Sequence, residues 1–332
     1  MNRPKVLQIL PMYHEEGEKI LRQGAEVIQT NEYGIPHICD RVKDVEGIVL
    51  RAPAKITREV IDANPNIKVI SGAGVGLDNI DVSYATEKGI PVLHAPSVNK
   101  ISTAEHAIMM ILSLAKQTIP LHDEMKKGNF SIRDTLIPTE LKGKKVGLIG
   151  FGNIAQEVAK RLSLGFEMDV TAWVREYKPE KHGIAEKLGV DILTNMEDVF
   201  SQSDFISLHI PLNNDTRHSI NRRYFSLMKP SAYLINTARG AVINQDDLLA
   251  ALQENRIAGA GLDVFEPEPP EEDFPLLTAP NVILTPHVGG TTLECNRITS
   301  TTVAKNVVKV LNGEFPQFIA NPEVLYREVR HK

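Results

Sequence analysis

Three kinds of side chain in the second half of the chain are suited to gripping a carboxylate and moving a proton. Arg239 stands in Asn236-Thr237-Ala238-Arg239-Gly240, and His287 in Thr285-Pro286-His287-Val288-Gly289. Four glutamates, Glu266, Glu268, Glu271 and Glu272, crowd the proline-rich stretch between them. A guanidinium can hold a keto-acid carboxylate through two parallel hydrogen bonds. An imidazole titrates near neutrality and can give or take the proton that accompanies a hydride. A neighbouring carboxylate favours its charged form. The residues alone leave alternatives open. Arg239 also suits a surface ion pair, His287 a hydrogen-bonded strand end, and any of the four acids plain solvation. His209, in Ser207-Leu208-His209-Ile210-Pro211, occupies a strand end of the same kind.

A second motif is Gly150-Phe151-Gly152-Asn153-Ile154-Ala155, which follows an apolar run and opens a helical pattern. In that setting a GxGxx(G/A) turn binds a dinucleotide. Gly150 permits the tight turn, and Gly152 lets backbone approach a pyrophosphate, whose charge the helix N-terminus stabilises. Ala155 meets the third position's need for a small side chain. An acid that would bind the ribose hydroxyls is expected about 20 residues on. Here the next strand runs out as Trp173-Val174-Arg175-Glu176-Tyr177-Lys178, with Val174 in the acid's place. A cationic end suits a 2′-phosphate, so NADP(H) is the expected cofactor and NAD(H) the alternative. Solvated loop charges at Arg175 and Lys178, with Glu176 between them, are the plainer reading. Gly72-Ala73-Gly74-Val75-Gly76 has the wrong spacing for a pyrophosphate turn. Its N–H groups suit a small anion such as a substrate carboxylate, or the segment is simply a turn.

Elements to carry these residues are plain in the pattern. The chain has 332 residues, a length that suits two domains at about 150 residues each. Near-continuous apolar runs such as Gly47–Arg51 and Lys68–Ser71 recur before Ser102, and a second set begins at Lys145. Runs of this kind, alternating with helical patterns, indicate parallel strands covered on both faces. Helical stretches at Ser102–Gln117, with Ser102 as N-cap, and at Thr291–Leu311 lie where the chain would cross between the two sets. The predicted fold is α/β: two doubly wound parallel-sheet domains flanking a cleft. A Rossmann-type cofactor domain covers residues 101–292. A flavodoxin-like substrate domain is discontinuous, over residues 1–100 plus 293–332.

Lys and Arg number 37 against 42 Asp and Glu, so the net charge of −5 disfavours nucleic acid or an anionic membrane as partner. A hydrophobic content of 42% with 24% charged residues is that of a globular protein, not a disordered one. Cys39 and Cys295 offer neither a disulfide framework nor ligand spacing, so no metal is expected. The N-terminus lacks a signal-peptide pattern, and Ala107–Ala115 is too short for a membrane span. A soluble, cytoplasmic protein is expected.

The blocks GAGVGLDNID, NKISTAEHA, LKGKKVGLIGFGNIA, DFISLHIPLNNDTRHSI, LINTARGAVI, AGAGLDVFEPEP and VILTPHVGG occur in this order over nearly the whole chain. In them the sequence resembles the D-isomer-specific 2-hydroxyacid dehydrogenases, the group of phosphoglycerate dehydrogenases and glyoxylate/hydroxypyruvate reductases. The resemblance implies hydride transfer between a nicotinamide and a small 2-keto or 2-hydroxy acid, of glyoxylate or hydroxypyruvate type. D-3-phosphoglycerate dehydrogenase is an alternative, and a dinucleotide-sensing, corepressor-like binding protein is one from another class. Arg239 is implied to bind the substrate's carboxylate and carbonyl, and His287 to be the acid–base. Glu268, immediately before Pro269, would orient His287 and raise its pKa.

Cofactor contacts implied are Thr103, Asn153, Ile154, Pro211, Thr237, Ala238, Asp263 and Gly289, beside Gly150, Gly152, Arg175, Arg239 and His287. His209 is placed beside the cofactor rather than as the acid. Val75 and Gly76, with Arg51, would hold the substrate carboxylate. The apolar helix Thr103–Ala115 and the arm Leu121–Leu141 imply a homodimer. No C-terminal regulatory domain, and hence no feedback by serine through one, is expected.

Overall fold

A run of Val, Ile and Leu that is apolar on both faces needs cover on both faces, and parallel sheets between helices provide it. The computed structural model describes residues 3–327; residues 1–2 and 328–332, assigned above to the substrate domain, lie outside the described residues. The chain divides into two compact units, residues 1–99 with 291–332 and residues 100–290.

The first unit contains β1 (Lys5–Ile9), β2 (Glu26–Thr30), β3 (Gly47–Leu50), β4 (Val69–Gly72) and β5 (Val92–Leu93). All pairs are parallel, in the order β2-β1-β3-β4-β5, the flavodoxin-like arrangement. Every residue of β3 and β4 is buried, whereas edge strand β2 stays partly exposed. The C-terminal helix Leu293–Leu311 belongs to this unit. The Thr292 side chain caps it by accepting from the Cys295 N–H at 3.1 Å. Its Val303, Ala304 and Val307 share one buried cluster with Val6, Leu21, Val49 and Val69.

The second unit contains β6 (Lys145–Ile149), β7 (Asp169–Trp173), β8 (Val190–Leu193), β9 (Phe205–Leu208), β10 (Tyr233–Asn236), β11 (Gly259–Leu262) and β12 (Val282–Leu284). Their order is β12-β11-β10-β9-β6-β7-β8, parallel throughout. That is the Rossmann order with one strand added beyond β11. The chain reverses direction across the sheet between β6 and β9, and a ligand crevice forms outside the carboxyl ends of the strands at such a switch point. The expected architecture, two doubly wound parallel sheets, is the one observed. Strand β8 was not legible in the sequence, because Asp191 interrupts its apolar run.

One cap differs from expectation. The crossover helix begins at Lys100, not at Ser102, and both Ser102 and Thr103 are buried inside its first turns. Its Ala107, Ile111 and Leu114 pack with Ala155, Val158 and Leu162 of helix Asn153–Phe166. Helix Thr118–Lys126, by contrast, buries no residue at all. Beyond it Phe130 is 64% and Ile137 69% exposed. No helix among the described residues is long and apolar enough to cross a membrane.

Candidate active site

The glycine turn after β6 has the shape a dinucleotide needs. Gly150 has φ +102°, and a Cβ there would stand 2.6 Å from the His209 carbonyl oxygen. Only glycine fits both conditions. At Gly152 an added Cβ would meet nothing within 4 Å, so the backbone there is open to an approaching group. Helix Asn153–Phe166 starts at this point, with Ala155 fully buried against the sheet. The hydroxyls of Thr103 and Thr237 are buried and make no hydrogen bond. Leaving a buried donor unsatisfied costs about 1–3 kcal/mol, so both invite a bound polar partner. These features fit the dinucleotide that the sequence motif implies.

Val174, just past β7, is buried. Arg175 is mostly exposed, and its Nη1 pairs with Asp215 Oδ2 at 3.0 Å. His209 follows β9, where its Nε2 shares a hydrogen bond with Ser207 Oγ at 2.9 Å. Burial pushes its pKa down to about 4, so at neutral pH it has no proton to spare as an acid. Pro211, two residues on, accepts the Thr216 hydroxyl on its carbonyl at 2.7 Å.

The loops after β10, β11 and β12 carry the candidate residues Arg239, Glu268 and His287. Buried Asn236, ending β10, stitches the next turn together. Its side chain donates to Arg239 O at 2.9 Å and accepts from the Ala238 N–H at 3.0 Å. A Cβ at Gly240 would lie 2.1 Å from the Phe265 backbone, so glycine alone lets the Arg239 turn close on the segment after β11. Arg239 is half-buried, and its Nη1 donates to Ala238 O at 2.7 Å.

Of the four acids left open by the sequence, Glu268 is the one whose Oε1 meets His287 Nδ1. That hydrogen bond and the charge of Glu268 raise the His287 pKa. Burial and the nearby Arg239 charge oppose the rise, while Asp263 adds to it. Glu266 instead binds Arg217 and His218.

His287 sits in the left-handed region at φ +54°, a conformation costing roughly 1–3 kcal/mol that persists only where neighbours dictate it. Asp263 supplies that constraint. Its Oδ1 accepts from Thr285 Oγ1 at 2.6 Å and the Val288 N–H at 2.8 Å, and its Oδ2 from the Gly289 N–H at 2.8 Å. Burial would raise the Asp263 pKa, but these bonds and His106 together hold it below the usual range. His106 Nε2 lies 2.9 Å from Thr285 Oγ1 and 3.4 Å from Asp263 Oδ1. Since Thr285 donates to Asp263, His106 donates to Thr285. His106 was missed in the sequence, although it follows Thr103 by three residues and so shares its helix face.

In the first unit, Arg51 follows β3 with its guanidinium 5.0 Å from the Tyr13 ring centroid. Its Nε is buried without a hydrogen bond. Val75 and Gly76 follow β4. His94 Nδ1 donates to the Val75 carbonyl at 3.2 Å, and the Ala95 N–H to Gly74 O at 2.9 Å, so the loop is pinned from β5.

The expected residues of the second unit thus line the carboxyl ends of one sheet, with Thr103 on the crossover helix. Sheet order and the glycine turn after β6 are those of a dinucleotide-binding fold. Residues 108–289 match the family model "D-isomer specific 2-hydroxyacid dehydrogenase, NAD binding domain". Over 317 residues the chain is 40% identical to a D-3-phosphoglycerate dehydrogenase of Methanocaldococcus jannaschii, spanning 96% of this chain but 59% of that protein's length. It is 36% identical to a glyoxylate reductase of Thermococcus litoralis, covering 97% of this chain and 98% of that one. Among solved structures, an NADPH-dependent glyoxylate/hydroxypyruvate reductase of Sinorhizobium meliloti, in complex with NADP and malonate, superposes with a TM-score of 0.85 at 27% identity. The match covers 96% of this chain and 97% of that one. The chain belongs to the D-isomer specific 2-hydroxyacid dehydrogenase family.

Proposed function

We propose that the protein reduces a small 2-keto acid to the D-2-hydroxy acid, and runs the reverse oxidation, with Arg239, Glu268 and His287 as its catalytic residues. The observation that carries this reading is the Glu268–His287 contact beside Arg239 at the strand ends. Gly150, Gly152, Asn153, Ile154, Thr103, Thr237, Ala238, Asp263 and Gly289 would hold the dinucleotide, with His209 and Pro211 along its course. When bound, the nicotinamide supplies or accepts the hydride. Arg239 grips the keto acid and offsets the negative charge that grows on its oxygen. His287, whose charged form Glu268 favours, donates the proton to that oxygen. For the first unit, the proposed ligand of Val75, Gly76 and Arg51 is the substrate carboxylate.

Reduction needs the imidazolium, so its rate falls as pH rises through the His287 pKa. Glu268→Gln removes the leading cause of the raised value. The fall in a pH–rate profile therefore moves to lower pH, while cofactor affinity is nearly unchanged. An unmoved profile rejects the pairing.

Glyoxylate and hydroxypyruvate are the substrates proposed first. The unpaired Arg51 Nε favours 3-phosphohydroxypyruvate as a second reading. A panel of 2-keto acids, each with NADH and NADPH, tests the proposal. Binding of cofactor with no turnover of any acid would support a dinucleotide sensor instead.

Val174 and Arg175 support NADP(H), with NAD(H) as second cofactor. The rival for Arg175 is Asp215. An exposed pair of this kind is worth at most about 1 kcal/mol, less than the roughly 1.5–3 kcal/mol of charge-assisted bonds to a phosphate. This difference favours a 2′-phosphate as the partner of Arg175. NADPH should be preferred about tenfold to a hundredfold in kcat/KM. Arg175→Ala should lose that factor with NADPH and spare NADH. Equal loss with both cofactors refutes the assignment.

The apolar residues left outside on Thr118–Lys126 and the arm beyond, Phe130 and Ile137 above all, support a two-fold homodimer. Light scattering should report twice the mass of the 332-residue chain at micromolar concentration; a monomer contradicts it. Two free cysteines, Cys39 and Cys295, suit a reducing, cytoplasmic setting, and the charge of −5 disfavours nucleic acid as a partner.

A further inference from the structure

We infer that Glu266 is a positioning residue for the acid–base pair, fastened by Arg217, His218 and Gln245 so that Glu268, two residues on, is aimed at His287. The inference rests on the reading of Glu268 and His287 given above. Glu268 has no other fastening among the described residues. Its one hydrogen bond is to His287, and its side chain is 37% exposed. A lone, partly exposed carboxylate keeps little orientation of its own, so its aim is set by the backbone that carries it.

That backbone is tied down at Glu266. The two carboxylate oxygens take separate partners, Oε1 the Arg217 guanidinium and Oε2 His218 Nε2. Gln245 engages both polar groups of the main chain. Its Nε2 donates to Glu266 O at 2.6 Å, and its Oε1 accepts from the Glu266 N–H at 3.3 Å. Gln245 opens helix Gln245–Gln253, so this anchor is the end of a regular element.

The turn that presents Arg217 and His218 is itself built. Asn213 Oδ1 accepts from the N–H groups of Asp215 and Thr216 at 2.9 and 3.0 Å. The His218 N–H donates to Ala241 O at 2.8 Å, with His218 held at φ +51°. On the other side Gly240 closes against Phe265. A merely solvated acid has no use for three protein partners and a left-handed neighbour.

The test is an NMR titration of the His287 imidazole in the ligand-free protein, together with the pH profile of keto-acid reduction. The charged groups that act on His287 are Glu268, Asp263 and Arg239, so a variant that keeps all three isolates positioning. His218→Ala and Gln245→Ala leave every carboxylate in place. Both should lower the His287 titration midpoint, in the direction of Glu268→Gln but by less. Glu266→Ala should lower it further, and Glu266→Asp should recover part of the loss. Combined with Glu268→Gln, none should add a further shift, since they act through Glu268.

A His287 midpoint unmoved in His218→Ala and Gln245→Ala, with only the melting temperature lowered, would overturn the inference. So would a shift that adds fully to that of Glu268→Gln. If Glu268→Gln itself leaves the midpoint unmoved, the acid–base pairing fails and the clamp with it.

Discussion

His287→Gln should lower kcat/KM for keto-acid reduction by about a hundredfold to ten-thousandfold, the usual worth of a positioned general acid. Glutamine can still offer an N–H toward the carbonyl, but it cannot release a proton to the forming alkoxide. The loss should therefore fall mainly on kcat, because the glycine turn at Gly150 and Gly152, the proposed phosphate site, lies after a different strand and stays intact. The limb of the pH profile assigned to His287 should vanish with it. A variant that keeps that limb would move the acid role to another residue. His209, with its pKa of about 4, would be a poor successor.

Arg239→Gln should cost about a hundredfold to a thousandfold in kcat/KM, as expected when a donor aimed at developing charge is removed. Both constants should suffer, since the same guanidinium is proposed to hold the ground-state carboxylate and the growing oxyanion. Arg239→Lys should rescue only part, because an ammonium lacks the two-pronged geometry. The turn itself should survive, since the Asn236 side chain holds the Arg239 carbonyl and not its side chain. One sign separates this residue from Glu268. The Arg239 charge depresses the His287 pKa, so its removal should move the His287 limb to higher pH, opposite to Glu268→Gln. Measuring both profiles in one buffer series checks the two signs together.

Much of this was legible in the sequence because local physics wrote it there. The turn at Gly150 needs a residue free of Cβ and a helix directly after it, and both stand in the chain. Runs such as Gly47–Leu50 are apolar on both faces, which reveals parallel strands without any partner being known. What the residues did not reveal depends on partners distant in sequence. The four glutamates between Phe265 and Phe274 are chemically equivalent until the fold brings Glu268 to His287 and Glu266 to His218. His106 reads as one polar residue in an apolar helix until Thr285, 179 residues away, arrives beside it. Ser102 has the right chemistry for a cap, but the chain enters the helix two residues earlier and buries it. Arg175 reads in the sequence as a phosphate ligand or a solvated loop charge, since nothing in its neighbourhood in sequence announces Asp215.

The most direct test of the central claim is the fate of label and chirality in a single turnover product. Hydroxypyruvate and the other keto acids are reduced with NADPH and with NADH carrying deuterium at the transferable position, and the products are resolved by chiral chromatography and mass spectrometry. The account predicts D-2-hydroxy acid with the deuterium on the carbon next to the carboxylate, and no such product from His287→Gln on the same timescale. An L-product, a product without deuterium at that carbon, or no turnover of any keto acid would contradict it.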